Sequence, residues 1–169
     1  MVKKITQKRL ENIALFYLEK YESSSFKLKN VLLRRISRAK KQNIEVDEDA
    51  VAWVDEVIKK MQDLGYVNDL RYAENQWRIL SSTGKSVHYI CQKLKQAGIG
   101  EDVLQNIISS QEETTSDMDL QAAQNLVKKR KLGKYRSEQD RKLMFQKDLA
   151  VLGRAGFSYE IARQALEED

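Results

Sequence analysis

One small motif punctuates the sequence. Leu64-Gly65-Tyr66, Ala97-Gly98-Ile99 and Ala155-Gly156-Phe157 each set a glycine between two apolar residues, at the end of an amphipathic stretch. Glycine enters the left-handed backbone region without a steric penalty, so it ends a helix there. The apolar residue after it folds back onto the last turn. Residues suited to capping a new helix follow shortly: Asn68 or Asp69 after the first glycine, Ser158 after the third. The spacing predicts helices joined by tight turns, again and again. The chain also holds no proline, which favours helices and short connections.

The stretches between the turns have helical period. In "FKLKNVLLRRISRAKK", Leu28, Val31, Leu32, Ile36 and Ala39 share one face, and Lys27, Arg34, Arg38 and Lys41 the other. Val51, Val54, Ile58 and Met61 line up in the same way, as do Val87, Ile90, Cys91, Leu94 and Ala97. The expected fold is all-α, a tandem array of three three-helix repeats. Repeat 1 is residues 1–66, with helices near 7–22, 26–41 and 48–64. Repeat 2 is 67–113, with helices near 69–82, 86–97 and 101–110. Repeat 3 is 114–169, with helices near 117–132, 138–155 and 159–167. The internal match is clearest between "LKQAGIGEDV", 94–103, and "LGRAGFSYEI", 152–161. A period of roughly fifty residues lies in the range of stacked arrays, where each unit buries a little core and stacking buries the rest. Repeat 1 has a longer joint, "KQNIEVDED". The acidic "SSQEETTSD", 109–117, is expected to be a flexible joint, and "LGKYRSEQD", 132–140, a loop.

With 169 residues, 41% of them apolar, the chain can bury a real core. Its net charge is only +5, but the charge is blocked. Residues 1–41 carry 12 basic and 3 acidic side chains, and 42–66 carry 2 and 7. Residues 101–127 carry 6 acidic and no basic side chains, and 128–147 carry 9 basic and 2 acidic. Basic blocks point to phosphates or to an acidic protein, and equally serve to solvate helix surfaces. One cysteine, Cys91, allows no disulfide framework and fits a reducing compartment. "MVKKITQKRL" has no apolar run after its lysines, and no stretch reaches the roughly 18 apolar residues of a membrane span. A soluble, cytoplasmic protein is expected.

Catalysis finds no foothold. His88 and Cys91 stand at i, i+3, but the chain has no other histidine or cysteine to complete a zinc site. A core cysteine and a surface histidine account for them better. No nucleophile lies at motif spacing from a base. "GKS", 84–86, is only the tail of a phosphate-binding loop, because Ile79 stands where that loop needs its first glycine. Carboxylate pairs such as Glu112–Glu113 are surface-like. Neither metal nor cofactor is expected. Of the aromatic residues Tyr66, Tyr72, Trp77 and Tyr89, some have the chemistry to stack on bases. Helical spacing among Tyr72, Trp77 and Leu80 instead places these in a core.

The basic residues are the more informative set. Repeat 1 offers Lys27, Arg34, Arg38 and Lys41. Repeat 2 offers Arg78, Lys85, Lys93 and Lys95. Repeat 3 offers the run "KKRKLGKYR", with Lys128, Lys129, Arg130 and Lys131, then Arg141 and Lys142. If the repeats present equivalent faces, these residues form a discontinuous basic strip suited to an extended polyanion or a filament groove. No recognition-helix pattern for reading base sequence is present.

The stretch "LGYVNDLRYAENQW", 64–77, resembles the signature of the RecX family of regulatory proteins: Leu-Gly-Tyr, an apolar residue, Asn-Asp, then Arg-aromatic-Ala. "GKSVHYICQKLKQAGI", 84–99, and "KLMFQKDLAVLGRAGFSYEIARQAL", 142–166, are similar to the family's middle and closing segments. The resemblance implies a curved, elongated array of three-helix repeats. It implies a non-enzymatic, monomeric protein that binds the RecA recombinase filament and meets single-stranded DNA weakly or within it. There it would inhibit ATP hydrolysis, strand exchange and filament growth. Gly65, Tyr66, Asp69, Arg71, Tyr72 and Ala73 match the signature, and Gly98 and Gly156 end the second helices of repeats 2 and 3. Tyr66, Tyr72 and Ala73 are expected to be structural and Asp69 to cap a helix, with Arg71 either in an internal ion pair or at a contact. The family often places proline and arginine after the middle glycine, where this chain has Lys85-Ser86-Val87-His88-Tyr89. Its middle repeat is thus less basic than the resemblance implies. Two other classes also fit the residues: a direct DNA-binding protein of helix-turn-helix-like modules, and a helical scaffold for another protein.

Overall fold

The structure is a computed structural model that describes residues 4–111 and 115–167. Among them are nine α-helices: α1 Gln7–Lys20, α2 Ser25–Lys41, α3 Ala50–Asp63, α4 Asp69–Ser82, α5 Val87–Gln96, α6 Glu101–Ser109, α7 Thr115–Arg130, α8 Glu138–Arg154 and α9 Tyr159–Glu167. A single 3-10 turn, Gly133–Tyr135, precedes α8. No strand forms among the described residues, and the one β-bridge joins Ile5 to Val46. The expected all-α class is therefore observed. Of the expected joint at 109–117, residues 112–114 lie outside the described residues, and the Glu112–Glu113 pair with them.

The chain divides into two compact units. One comprises the described residues up to Ala73 together with Ala97–Ile99, and the other comprises Glu74–Gln96 with the residues from Gly100 onward. In the first unit, α1, α2 and α3 enclose Leu10, Leu28, Leu32, Val54, Val57 and Met61. The face expected of α2 is the buried one at Leu28, Leu32, Ile36 and Ala39, while Val31 lies half-buried at its rim. In α3, Val51 faces solvent and Val57 fills the core in its place. In the second unit, α7, α8 and α9 pack around Val127, Leu132, Leu152, Phe157 and Leu166. In α5, Val87, Ile90 and Leu94 are buried and Cys91 is half-buried.

Helix ends follow the glycine rule, with two additions. Gly65, Gly98 and Gly156 have φ of +75°, +81° and +95°. After α3, Gly65 N–H donates to the Gln62 carbonyl and Tyr66 N–H to that of Met61, a Schellman closure. Gly84 closes α4 in the same way. Asn43 and Lys131 do so without glycine, at φ +54° and +53°. Tyr66 departs from expectation: the residue is 53% exposed, and Val67 turns inward instead. The Val67 N–H also reaches the Met61 carbonyl, at 3.2 Å, so the chain turns inward one residue later.

The starts of α2 and α5 are built alike. Ser24 Oγ accepts from Lys27 N–H and donates to the Ala97 carbonyl at 2.5 Å. Ser25 N–H and Oγ–H both donate to the Asp69 carboxylate, at 2.7 and 2.5 Å. At α5, Ser86 Oγ accepts from Tyr89 N–H, Ser86 N–H donates to the Ala155 carbonyl at 3.3 Å, and Val87 N–H donates to Asp119 at 2.7 Å. Asp69 is thus a capping residue, but for α2. Its own helix is capped by Asn68, which accepts from Arg71 N–H. The glycine after each alanine leaves the room. A Cβ on Gly98 would overlap Phe26, and one on Gly156 would stand 2.5 Å from Ser86 Oγ and 2.9 Å from Tyr89 Cβ.

This geometry separates two glycines of like backbone. A Cβ on Gly65 meets nothing within 4 Å, so Gly65→Ala bears only the left-handed strain, about 1 kcal/mol. Gly98→Ala bears that strain and displaces Phe26, for a total of about 3 kcal/mol. Urea unfolding of the two variants is expected to rank them in that order, with Gly98→Ala the less stable.

Candidate polyanion interface

In the first unit, Arg34, Arg38 and Lys41 project from α2 into solvent, and none has an ion-pair partner among the described residues. Arg34 Nε donates only to the Asn30 carbonyl of its own helix. Lys27 is engaged: its ammonium donates to the Tyr72 hydroxyl at 2.5 Å and lies 5.0 Å from that ring's centre. Arg71 is engaged more loosely, 3.4 Å from the Gly65 carbonyl and 3.8 Å from Glu22. Tyr72 and Ala73 are core residues.

In the second unit, Lys95 is paired with Glu101 at 2.6 Å, which neutralises its charge within the chain. Lys85 and Lys93 lie over the Tyr89 ring at 4.7 and 5.6 Å, where the π face attracts their ammonium groups. Arg78 is exposed and donates to Asn75. Lys128, Lys129 and Arg130 form the exposed last turn of α7, where the helix carbonyls favour cations. Lys131 follows in the left-handed turn, and Lys142 is exposed on α8. Arg141 donates to the carbonyls of Lys134 and Arg136, at 2.6 and 3.4 Å, and so braces the loop before α8.

Arg136, within the same basic run, faces inward. Its guanidinium grips the Asp148 carboxylate with two bonds of 2.8 Å, and Gly133 N–H adds a third of 3.0 Å. Asp148 is buried at 1% exposure. Burial pushes its carboxyl up, but Arg136 and the Gly133 N–H together outweigh burial and hold it below the ordinary carboxylate range.

Sequence reasoning missed a groove between α1 and α2. Phe16, Tyr17 and Tyr21 face Arg34, Arg35 and Arg38 across an open volume of about 310 Å³. The signal was present: α1 carries Leu15 and Phe16 in addition to the apolar residues that its core face needs. Trp77 is buried as expected, and Tyr89 is half-buried. Cys91 is half-buried, and burial pushes its thiol up, away from the reactive thiolate. Among the described residues, no group of three or more His, Cys, Asp or Glu is placed to hold a metal ion. No helix among them is long and apolar enough to cross a membrane.

No protein-family model matches the chain. A protein of Myxococcus xanthus called Regulatory protein RecX is 34% identical over 172 aligned residues, which cover 99% of this chain and 89% of that protein. Regulatory protein RecX of Listeria innocua is 29% identical over 68% of this chain, and that match spans only 41% of the Listeria protein. The crystal structure of RecX from Lactobacillus salivarius superimposes with a TM-score of 0.61, covering 96% of this chain and 95% of that one, at 23% identity. A second crystal structure of a regulatory protein RecX gives 0.62 at 22% identity, covering 96% of this chain and 72% of that one. At these identities the structures support the fold.

The Asp148 grip is testable by pH. A carboxyl whose folded value lies below its unfolded value of about 3.9 stabilises fully above that value and loses its contribution as pH falls through the folded one. Asp148→Asn places an amide donor against the Arg136 and Gly133 donors, and is expected to lower stability by about 2 kcal/mol at pH 7. The difference from the parent is expected to shrink below pH 4, as the parent's own carboxyl protonates. Denaturant unfolding at pH 7 and pH 3 measures both.

Proposed function

The chain belongs to the RecX family of regulatory proteins, and from that membership we propose that it regulates the RecA recombinase. It binds the RecA filament on single-stranded DNA and inhibits ATP hydrolysis, strand exchange and filament growth. The family is named for regulation rather than catalysis. The observation that carries this reading is the 34% identity to a regulatory protein RecX over nearly the whole of this chain.

The chain acts as a monomer in the cytoplasm and as a tandem array of three repeats, α1–α3, α4–α6 and α7–α9. The like-built starts of α2 and α5 support that grouping. The exposed cations Arg34, Arg38 and Lys41 of the first repeat and Lys128, Lys129, Arg130, Lys131 and Lys142 of the third make the principal contacts. An array of linked modules engages neighbouring subunits of a filament together, and weak contacts then combine through high effective concentration. Lys95 contributes little, because Glu101 already neutralises it.

The test is RecA-dependent ATP hydrolysis on single-stranded DNA, with this protein titrated from substoichiometric to equimolar amounts. Inhibition is expected well below the concentration at which the protein binds free DNA at the same salt. The quadruple variant Arg34→Glu, Arg38→Glu, Lys128→Glu, Lys129→Glu is expected to lose inhibition by an order of magnitude or more while keeping its helix content by circular dichroism. Full inhibition by that variant would remove these residues from the interface. No inhibition by the parent would remove the filament as the target.

A further inference from the structure

A larger cavity, of about 710 Å³, lies within the second unit between α4 and α7. That volume is in the range of ligand sites. Trp77, Ile90, Ile107 and Met118, one from each of α4 to α7, give it an apolar lining. Trp77 is the telling residue. Only 6% of its surface is exposed, yet its indole N–H has no hydrogen-bond partner among the described residues. That nitrogen is not sealed from solvent either, and because Trp77 lines the cavity, the N–H opens into it. A buried indole usually finds an acceptor in its own fold. Here the acceptor comes from whatever fills the cavity.

The α7 wall carries a second unanswered set. Gln121 and Asn125 are exposed, stand one turn apart, and make no side-chain hydrogen bond among the described residues. Each amide offers an acceptor oxygen and a donor nitrogen, the same pair that a peptide group offers. Residues four apart on a helix lie about 6 Å apart, and alternate peptide groups of an extended chain about 6.6 Å. The α4 wall is charged. Arg78 donates to Asn75 and has no ion-pair partner among the described residues, and the Lys85 ammonium rests on the Tyr89 ring. Two carboxylates also line the cavity: Asp119 accepts from the Val87 N–H, and Glu74 lies one turn from Arg78.

We propose that this cavity binds an extended peptide segment of a partner protein, its backbone held by Gln121 and Asn125 and one apolar side chain seated against Trp77. The indole N–H donates to a main-chain carbonyl of the segment. An acidic residue close to the apolar one meets Arg78 and Lys85. Main-chain hydrogen bonds hold such a segment, and the pocket for its side chain selects it. A helix fits worse, because its own backbone groups are already bonded and leave the two amides unanswered. A nucleic-acid strand fits worse, because Glu74 and Asp119 repel a phosphate at every step. The inference does not rest on the recombinase reading, since it concerns the chemistry of the segment and not its source.

Random octapeptides displayed on phage, selected on the full chain, test it. The enriched peptides are synthesised and titrated against the Trp53→Phe variant, in which Trp77 is the only tryptophan. They are expected to share one large apolar residue with Asp or Glu within two positions, and to shift the Trp77 emission on binding. Gln121→Ala/Asn125→Ala is expected to weaken binding about tenfold. Both amides are exposed, so circular dichroism should show an intact fold. N-methylation of the peptide bonds beside the apolar residue removes main-chain donors alone and is expected to cost about as much. Trp77→Phe keeps a ring and removes the N–H, and is expected to weaken binding about fivefold by anisotropy of the labelled peptide. No enriched sequence family would overturn the proposal, as would parental affinity in the double-amide variant or indifference to N-methylation. Displacement of the peptides by oligo(dT), with a shift of Trp77 emission, would overturn it in favour of nucleic acid. A concentration-dependent shift without peptide would overturn it in favour of a second copy of this chain.

Discussion

A helix start seated on the carbonyl before a glycine turn is the contact on which each unit depends. The first turn of a helix presents N–H groups with no intrahelical partner, and burying one unsatisfied costs about 1–3 kcal/mol. Ser24 and Ser86 are both completely buried, so α2 and α5 need external acceptors. Each serine covers an N–H of its own helix and is tied to an alanine carbonyl, Ala97 or Ala155. A carboxylate, Asp69 or Asp119, then takes the next N–H, and its negative charge suits the positive end of the helix. Such closeness requires that the residue after each alanine have no side chain. One glycine therefore meets two demands: a left-handed backbone, and space for a neighbouring helix.

That double demand explains what the sequence disclosed. Gly65, Gly98 and Gly156 were legible as helix ends because left-handed backbone is a local property. The helices followed from period and caps, and their bounds agree with expectation to within about two residues. The second demand was not legible, because it rests on Phe26, Ser86 and Tyr89, all distant in sequence from the glycines they crowd. The helix ends at Asn43 and Lys131 do not follow the glycine pattern: asparagine enters the left-handed region more readily than most residues, whereas a lysine at φ +53° does so at a steric cost. Tyr66 misled for a related reason. Three turns share one sequence pattern, yet in one of them the inward place passes to the following residue, Val67.

The charged residues show the same division. Basic blocks can be counted from the sequence, but which cations are neutralised depends on folding. Lys95 meets Glu101 across a turn, and Arg136 meets Asp148 between a loop and the helix after it. Lys27 meets Tyr72 of another helix. What remains without an ion pair among the described residues is narrower than the strip read from the sequence, and its densest parts are the outer face of α2 and the end of α7 with its following turn. A surface cation neutralised in its own fold offers little long-range attraction to a polyanion, whereas adjacent bare guanidinium groups reinforce one another's field. The arginines of α2 are also the ones that stand beside exposed rings.

Local chemistry alone does not make a joint, as another serine-capped helix start, that of α8, shows. Ser137 opens α8 as Ser24 opens α2: its hydroxyl accepts from the Asp140 N–H. Yet Ser137 is exposed, and its own hydroxyl proton goes to the Asp140 carboxylate three residues on. Glu138 and Asp140 supply the negative charge that Asp69 and Asp119 bring to α2 and α5 from elsewhere in the chain. The start of α8 is therefore satisfied from within and calls for no glycine turn against it. At α2 and α5 the second capping oxygen comes from a carboxylate 44 or 32 positions away in the chain, so those helix starts are complete only when the fold is. The serine caps that look equivalent in sequence thus differ: Ser137 stabilises its own helix, whereas Ser24 and Ser86 also bind one part of the chain to another.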